Sequence, residues 1–490
     1  MKKISILNLI LFCSIFTVHA QLNNLCPISS TVYDKNKIKD INLLLTTKDF
    51  SPFMLPNTGT KRTSTVQLVK ATAPFPPLWF QMGDIKKDEG GNFVGTSFLL
   101  DARIQEANGT LTYFSSHPNA FYGSVTIDTA ALQPVDSTYT YENKSTDTIR
   151  GKIDLHDYQV DKDGNKLITN QVQRQINAKC LSGLDKDTIR IALVNDIILL
   201  NKYDSIIFKW NPLDHFTPCE MIWEYKDASL IYGDVINWSH VNSVRFANDG
   251  NLIYSFRHIG LGKINRKTGA IMWKFGGKDS THAIPVPANA GYYLQHDFMQ
   301  RKDGLYSVFS NGDYKHDYFE GLVYNIDELN KKATLVSRYR PHIDTFSKAL
   351  GSYDCFGDIC ITDFGMYFQS KVEALQEMAY MTDGDKIVAK LSAPSYNYSY
   401  QIHQTKWAAL QRRPKVTMKK NILISDNKPG LSDYTWYKIE GTNAIPVAVG
   451  NSFTPSVSGK YALEATQGNG LFKSYLISDV ITFTQKKKKK

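Results

Sequence analysis

The 490-residue sequence is poor in the motifs that usually announce a chemistry. It has no Ser nucleophile elbow, P-loop, Rossmann glycine pattern, HExxH or paired-carboxylate signature, so the common hydrolase, nucleotide-binding and zinc-protease classes find no foothold. Cysteine is scarce, at 6 residues. None has the C-x2-C spacing with histidine partners of a structural zinc site. No apolar run after the first twenty residues is long enough to cross a bilayer. No helical periodicity persists: Val372–Met381 is one of the few helix candidates, and it also suits a pair of strands. What remains is an ordinary globular composition, 42% hydrophobic and 21% charged, which excludes disorder, collagen and coiled coil.

The net charge of +10 is an end effect. Lys486 to Lys490 form a basic tail, read as a solvated end, and Lys2 and Lys3 sit in the leader; without these lysines the body is near neutral at +3. A body without clustered basic charge gives no case for nucleic-acid binding. The leader, MKKISILNLILFCSIFTVHA, has a basic start, an apolar run and a small-residue cleavage site at Val18-His19-Ala20. It reads as a secretory signal peptide over residues 1–20, so the expected protein is exported, to the periplasm or beyond, with no membrane span. Cys13 leaves with the leader, and Cys26, Cys180, Cys219, Cys355 and Cys360 are an odd set. The Cys355/Cys360 pair suits either a short disulfide or two buried thiols.

Strand signals dominate, broken by Asp163-Gly164, Asp249-Gly250, Asp303-Gly304 and Asp383-Gly384. Aligning those turns exposes a repeat. LHDYQVDKDGNKLIT from Leu155, SHVNSVRFANDGNLIYS from Ser239 and QHDFMQRKDGLYSVFS from Gln295 each carry a histidine, an apolar strand, an Asp-Gly turn and a second strand. A weaker copy from Gly351 has no histidine. Repeated antiparallel hairpins predict a β-propeller, all-β, in which equivalent positions surround one axis. His156, His240 and His296 then share a phase and converge. After Arg413 the chain changes character: Trp436 and Tyr461, with a Ser-Gly turn before the tyrosine, predict a small immunoglobulin-like β-sandwich over 413–485. The propeller is expected over 21–412, with 21–110 as its N-terminal β-rich part.

Histidine and cationic side chains round a funnel suit an anionic substrate, whose charge they steer and neutralise. At these residues the chain resembles the arylsulfotransferase family. The segments FKWNPLDHF (Phe208 to Phe216), WSHVNSV (Trp238 to Val244), SFRHIGLGKINRKTGAIMWKFGG (Ser255 to Gly277), QHDFM (Gln295 to Met299) and FSNGD (Phe309 to Asp313) carry the likeness. The resemblance implies a six-bladed propeller that moves a sulfuryl group from a phenolic sulfate ester to a phenol through a transiently sulfated histidine, without metal or other cofactor. It puts His240, His296 and His258 in catalysis, and Arg257, Lys315 and His215 in substrate binding; the repeat adds His156 to the substrate-binding residues. Lys315 stands one residue from a position where the family usually has arginine. The family's nucleophile lies in a later repeat, corresponding to Ile359 to Phe368, where no histidine is present; His342 precedes that stretch and His403 follows it.

The expected partners are a small-molecule aryl sulfate and a phenol, with no nucleic acid and the oligomeric state left open. Two other readings follow from the same residues. A propeller that kept the fold and lost the nucleophile would bind sulfated or other anionic aromatic ligands without turnover. Three imidazoles round one axis would also suit a transition metal, with Asp157 and Asp297 behind them.

Overall fold

The computed structural model describes residues 29–49 apart from 40, the strands at 64–70, 78–81, 86–87 and 93–94, most of 99–139 and most of 152–485. The leader, the tail, Cys13, Cys26 and Cys180 lie outside these residues. The fold is all-β and propeller-like. Val372–Met381 is no helix where it is described: Leu375–Asp383 is a strand.

Largely antiparallel sheets follow one another in chain order. One holds Leu99–Ile104, Leu111–His117, Ala120–Asp128 and Gln133–Tyr139; the next is built on Lys166–Asn177 and Ile189–Leu200. Then come the sheet Val241–Phe246, Leu252–Phe256, Gly260–Ile264, Ile271–Phe275 and the sheet His296–Gln300, Tyr306–Ser310, Glu320–Asp327, Lys332–Tyr339. A further sheet runs from Ser352–Phe356 to Lys386–Pro394, with the N-terminal strand Ser29–Val32 added at its outer edge. The last sheet joins the two ends of the chain, Asn397–Gln404 pairing with Asn42–Asp49. Its first strand packs against Leu99–Ile104, so the succession of sheets returns to its start.

The hairpins form where the sequence supplies turn chemistry. Gly164, Gly250 and Gly304 stand at φ of 79°, 80° and 88°, a left-handed backbone open to glycine at little cost. Each donates its N–H to the carbonyl three residues earlier, on Asp161, Ala247 and Arg301. Between sheets, Trp210, Tyr254, Phe256, Trp273 and Phe275 fill the gaps, fully or almost fully buried. Burying a large apolar side chain of this kind contributes about 1.5 to 3 kcal/mol. Cys355 and Cys360, directly opposed across the hairpin Ser352–Phe356 and Ile359–Asp363, form a disulfide, and Cys219 is also disulfide-bonded.

The C-terminal segment packs two sheets through Leu423, Trp436, Tyr461 and Phe483, and the Tyr461 hydroxyl donates to the Val457 carbonyl at 2.8 Å. It is joined to the ring by more than a linker. Ser474–Ile477 pairs antiparallel with Leu78–Gln81, so one sheet of nine strands runs from the ring into this segment. An edge strand that would otherwise invite another chain is thereby covered.

Candidate active site

Four histidines meet at one end of the innermost strands. The His156 ring centroid lies 5.6 Å from that of His240 and 5.9 Å from that of His296, and His240 lies 5.2 Å from His258. Tyr400 closes the group, 5.9 Å from His156 and 5.5 Å from His296. The convergence expected from the repeat is present, but the shared phase is not. The turn glycine follows His156 and His296 by eight residues and follows His240 by ten. Asn242 therefore occupies the strand position of the other two histidines, donating to the Gln295 carbonyl at 2.6 Å. His240 comes in two residues earlier with a left-handed φ of 42°, as Leu294 does at 45° in the next repeat. Non-glycine residues held in that region store strain that the surroundings must enforce.

Hydrogen bonds assign a direction to each ring. His156 Nδ1 donates to Asp154 Oδ1 at 2.5 Å, and Asp154 Oδ2 accepts from Asn195 at 3.0 Å. His296 Nδ1 donates to the Gly351 carbonyl at 2.8 Å, and His258 Nδ1 to the Asn237 carbonyl at 2.9 Å. In their neutral forms these three rings carry the proton on Nδ1 and the lone pair on Nε2. His240 is the reverse: its Nδ1 accepts from the Asn237 amide at 2.8 Å, which leaves the N–H on Nε2. Gly351 must be glycine, because at φ 90° a Cβ would run into the Phe309 ring.

Burial sorts the rings into two tiers. His258 and His296 are 1% and 2% exposed, whereas His240 is half-buried and the His156 side chain keeps 12% of its surface. Burial, with the neighbouring imidazoles and Arg257, drives His240 and His296 well below the ordinary histidine value, so both are neutral at pH 7. Arg257 supplies fixed positive charge beside them, its guanidinium donating to the Leu294 and Lys348 carbonyls at 3.1 and 2.7 Å.

Beneath the histidines runs a buried belt of charge. Arg103 Nη1 meets Asp157 at 2.8 Å, Arg245 Nε meets the same carboxylate at 3.1 Å, and Arg245 Nη2 reaches Asp297. Burial opposes ionisation of Asp157, but the two arginines hold its carboxyl below the usual range. On the far side of the belt, among the hairpin turns, opens a cavity of about 1520 Å3 lined by Arg103, Arg245, Asp354 and His403 among others. None of the four clustered histidines lines it. The wide space and the concentrated imidazoles are at opposite ends of the innermost strands.

A family model described as arylsulfotransferase (ASST) matches residues 108–369, more than half of the chain. The chain belongs to the arylsulfotransferase family. No curated protein matches it. Solved structures similar to it include the periplasmic gluconolactonase PpgL of Pseudomonas aeruginosa, 10% identical with a TM-score of 0.37, over 75% of this chain and 99% of that one. The WD40 β-propeller domain of Doa1 is 10% identical at 0.28, covering 68% and 90%. A protein of unknown function from Dyadobacter fermentans is 8% identical at 0.35, covering 92% and 97%. Likeness at these scores bears on neither the fold nor the chemistry of this chain.

Within this arylsulfotransferase framework the remaining expected residues separate. His215 is not brought to the cluster: it lies face to face on Trp210, centroids 4.5 Å apart, and burial lowers its pKa. Lys315 is exposed, on the loop after Asp313. His342 is exposed, and His403 lines the cavity at the other end, donating through Nε2 to Gln401 at 2.9 Å. Neither joins the four clustered histidines in a ring contact. Among the described residues no set of three His, Cys, Asp or Glu side chains could hold a metal ion. Three residues escaped the sequence reading. Asp154 had a visible signal, a carboxylate two residues before His156; Asn237 and Tyr400 had none, because their roles arise only from strand packing.

Proposed function

We propose that the chain transfers a sulfuryl group from an aryl sulfate to a phenol, with His156 as the reacting imidazole. The observation that carries this is the Asp154–His156 pair at the mouth of the cluster. A carboxylate fixes Nδ1, so Nε2 is left to react. The Nε2 lone pair forms a bond to sulfur as the bond from sulfur to the aryl oxygen breaks. The electron pair leaves on the phenolate, which takes its proton from water. His240 offers Nε2–H to the sulfuryl oxygens, and Arg257 adds positive charge. In the second half an acceptor phenol gives its proton to water and takes the group from His156 as the N–S bond breaks. The buried His258 and His296 line the floor and shape the pocket electrostatically.

The rest of the proposal concerns the frame. The successive sheets form six blades, closed by pairing of the chain ends, over 21–412; the segment 413–485 is an immunoglobulin-like sandwich, which the tyrosine hydroxyl bonded four residues upstream supports. Export behind a cleaved leader fits a chain whose Cys355, Cys360 and Cys219 are oxidised. Among the described residues no helix is long and apolar enough to cross a membrane.

Incubating the mature protein with a chromogenic aryl sulfate and a phenol tests the reaction: release of phenolate coupled to acceptor sulfation is expected, and its absence over a broad panel counts against it. The absence of histidine from Ile359–Asp363 favours a second reading, a propeller that binds aryl sulfates without turnover. Thermal stabilisation by the ester with no product would mark that case.

A further inference from the structure

Loops at the histidine end of the sheets carry aromatic rings that the proposed chemistry does not use. Three loops bring them there. The loop ending at His296 carries Tyr293, the loop after Ser310 carries Tyr314 and His316, and the loop leading to Gly351 carries Phe346. Tyr293 and His316 are stacked with centroids 3.4 Å apart and planes 12° off parallel. Tyr314 meets Phe346 edge-on at 5.0 Å and is itself 72% exposed. A single exposed aromatic means little, but two pairs on loops tied to a polar site point to a binding surface.

The loops are tied to each other and to the cluster. Buried Asn311 accepts at its carbonyl from Ser347 N at 2.8 Å and donates its amide to Leu350 at 3.0 Å. Gly312 N donates to the Tyr293 carbonyl, and Asp313 fixes the His316 ring at 3.0 Å. A Cβ at Gly312 would collide with the Tyr318 carbonyl, so the loop path is specified by sequence. Arg257, within the histidine group, grips Leu294 on one loop and Lys348 on another. The loops that carry the rings are therefore fixed relative to the cluster before any ligand arrives, which spares it the cost of ordering them.

We propose that this platform seats the aryl ring of the sulfate ester, with Tyr314 and Phe346 as its specificity-determining contacts. The inference rests on the sulfuryl-transfer reading and deepens it. A flat ring on Tyr314 and Phe346 directs the ester's sulfuryl end toward His156 and His240, while an alkyl sulfate of similar size gains no aromatic contact. An exposed aromatic contact contributes about 3- to 10-fold in affinity.

The test measures binding of 4-nitrophenyl sulfate and of hexyl sulfate to the full mature chain by calorimetry, alongside turnover of the former. Wild type is expected to bind the aryl ester at least about 10-fold more tightly than the alkyl ester. The double variant Tyr314→Leu with Phe346→Leu should lose that preference with an unchanged melting temperature, and His156→Ala should keep it while losing turnover. An aryl preference undiminished in the double variant, or none in wild type, overturns the platform whatever the turnover shows. Aryl preference without any turnover leaves the platform standing and sinks the sulfuryl-transfer reading instead.

Discussion

The two ends of the innermost strands differ in kind. At the turn end a wide cavity is walled by charged side chains already committed to partners: Arg266 to Asp161, Arg301 to Asp303, and Arg245 to Asp157 and Asp297. At the other end four imidazoles and a tyrosine gather with neighbouring ring centroids 5.2 to 5.9 Å apart, the histidine tautomers set by Asp154, Asn237 and Gly351. Volume and chemistry have separated. A satisfied ion pair holds a structure together, whereas a buried lone pair without a partner, such as His296 Nε2, is a group still available to a ligand.

The largest effect should come from the histidine end. His156→Ala is expected to cut transfer by about 10²- to 10⁴-fold or more with the melting temperature unchanged, and Asp154→Asn to recover only part of the rate, because the amide orients the ring without supporting its charge. Steady-state kinetics with a chromogenic ester would show it; equal losses of rate and melting temperature would make the pair structural.

The belt between the two ends should answer in stability. Arg245→Ala takes from buried Asp297 its arginine and leaves buried Asp157 with Arg103 alone, and is expected to cost about 3 to 5 kcal/mol, read by denaturant unfolding. A change below 1 kcal/mol would contradict the belt's role.

The sequence carried much of this frame and less of the site. The Asp-Gly turns, the β-rich pattern and the histidine repeat were legible because turn glycines and alternating strands are local physics. The phase of His240 is not legible from the repeat, since an extra pair of residues before the turn changes which side chain enters the strand, and Asn242 rather than histidine takes that place. The motif around His215 points to the binding residues, yet Trp210 claims its ring. Tyr400 lies about 240 residues from His156 in sequence, and only ring closure makes them neighbours. The hydrogen-bonded join between Ser474–Ile477 and Leu78–Gln81 was equally hidden, since strand pairing between distant edges leaves no local pattern.

Smaller effects should appear with pH. His240 and His296 have folded pKa values below the unfolded value of about 6.5, so the unfolded chain binds protons first as pH falls. Their contribution to stability is full above about pH 6.5 and is lost below it; melting curves of His296→Asn should lose part of that slope. Asp363 has the opposite sign. Burial raises its pKa to about 8, well above its unfolded value, so its contribution declines from about pH 4 upward and is gone above pH 8. Asp363→Asn should therefore flatten the alkaline side. The smallest change is expected at His215: His215→Ala removes the stack on Trp210, about 0.5 to 1.5 kcal/mol of stability, and leaves turnover within twofold. A large loss of rate there would break the division between clustered and structural histidines.

The most direct measurement is to quench the mature protein during turnover of an aryl sulfate without acceptor and locate the added sulfuryl group by peptide mass spectrometry under conditions that preserve N–S bonds. The group is expected on His156, and none should be trapped in His156→Ala. An adduct on His258, His296 or His403, or steady transfer by His156→Ala, would contradict the assignment of the chemistry to the Asp154–His156 pair.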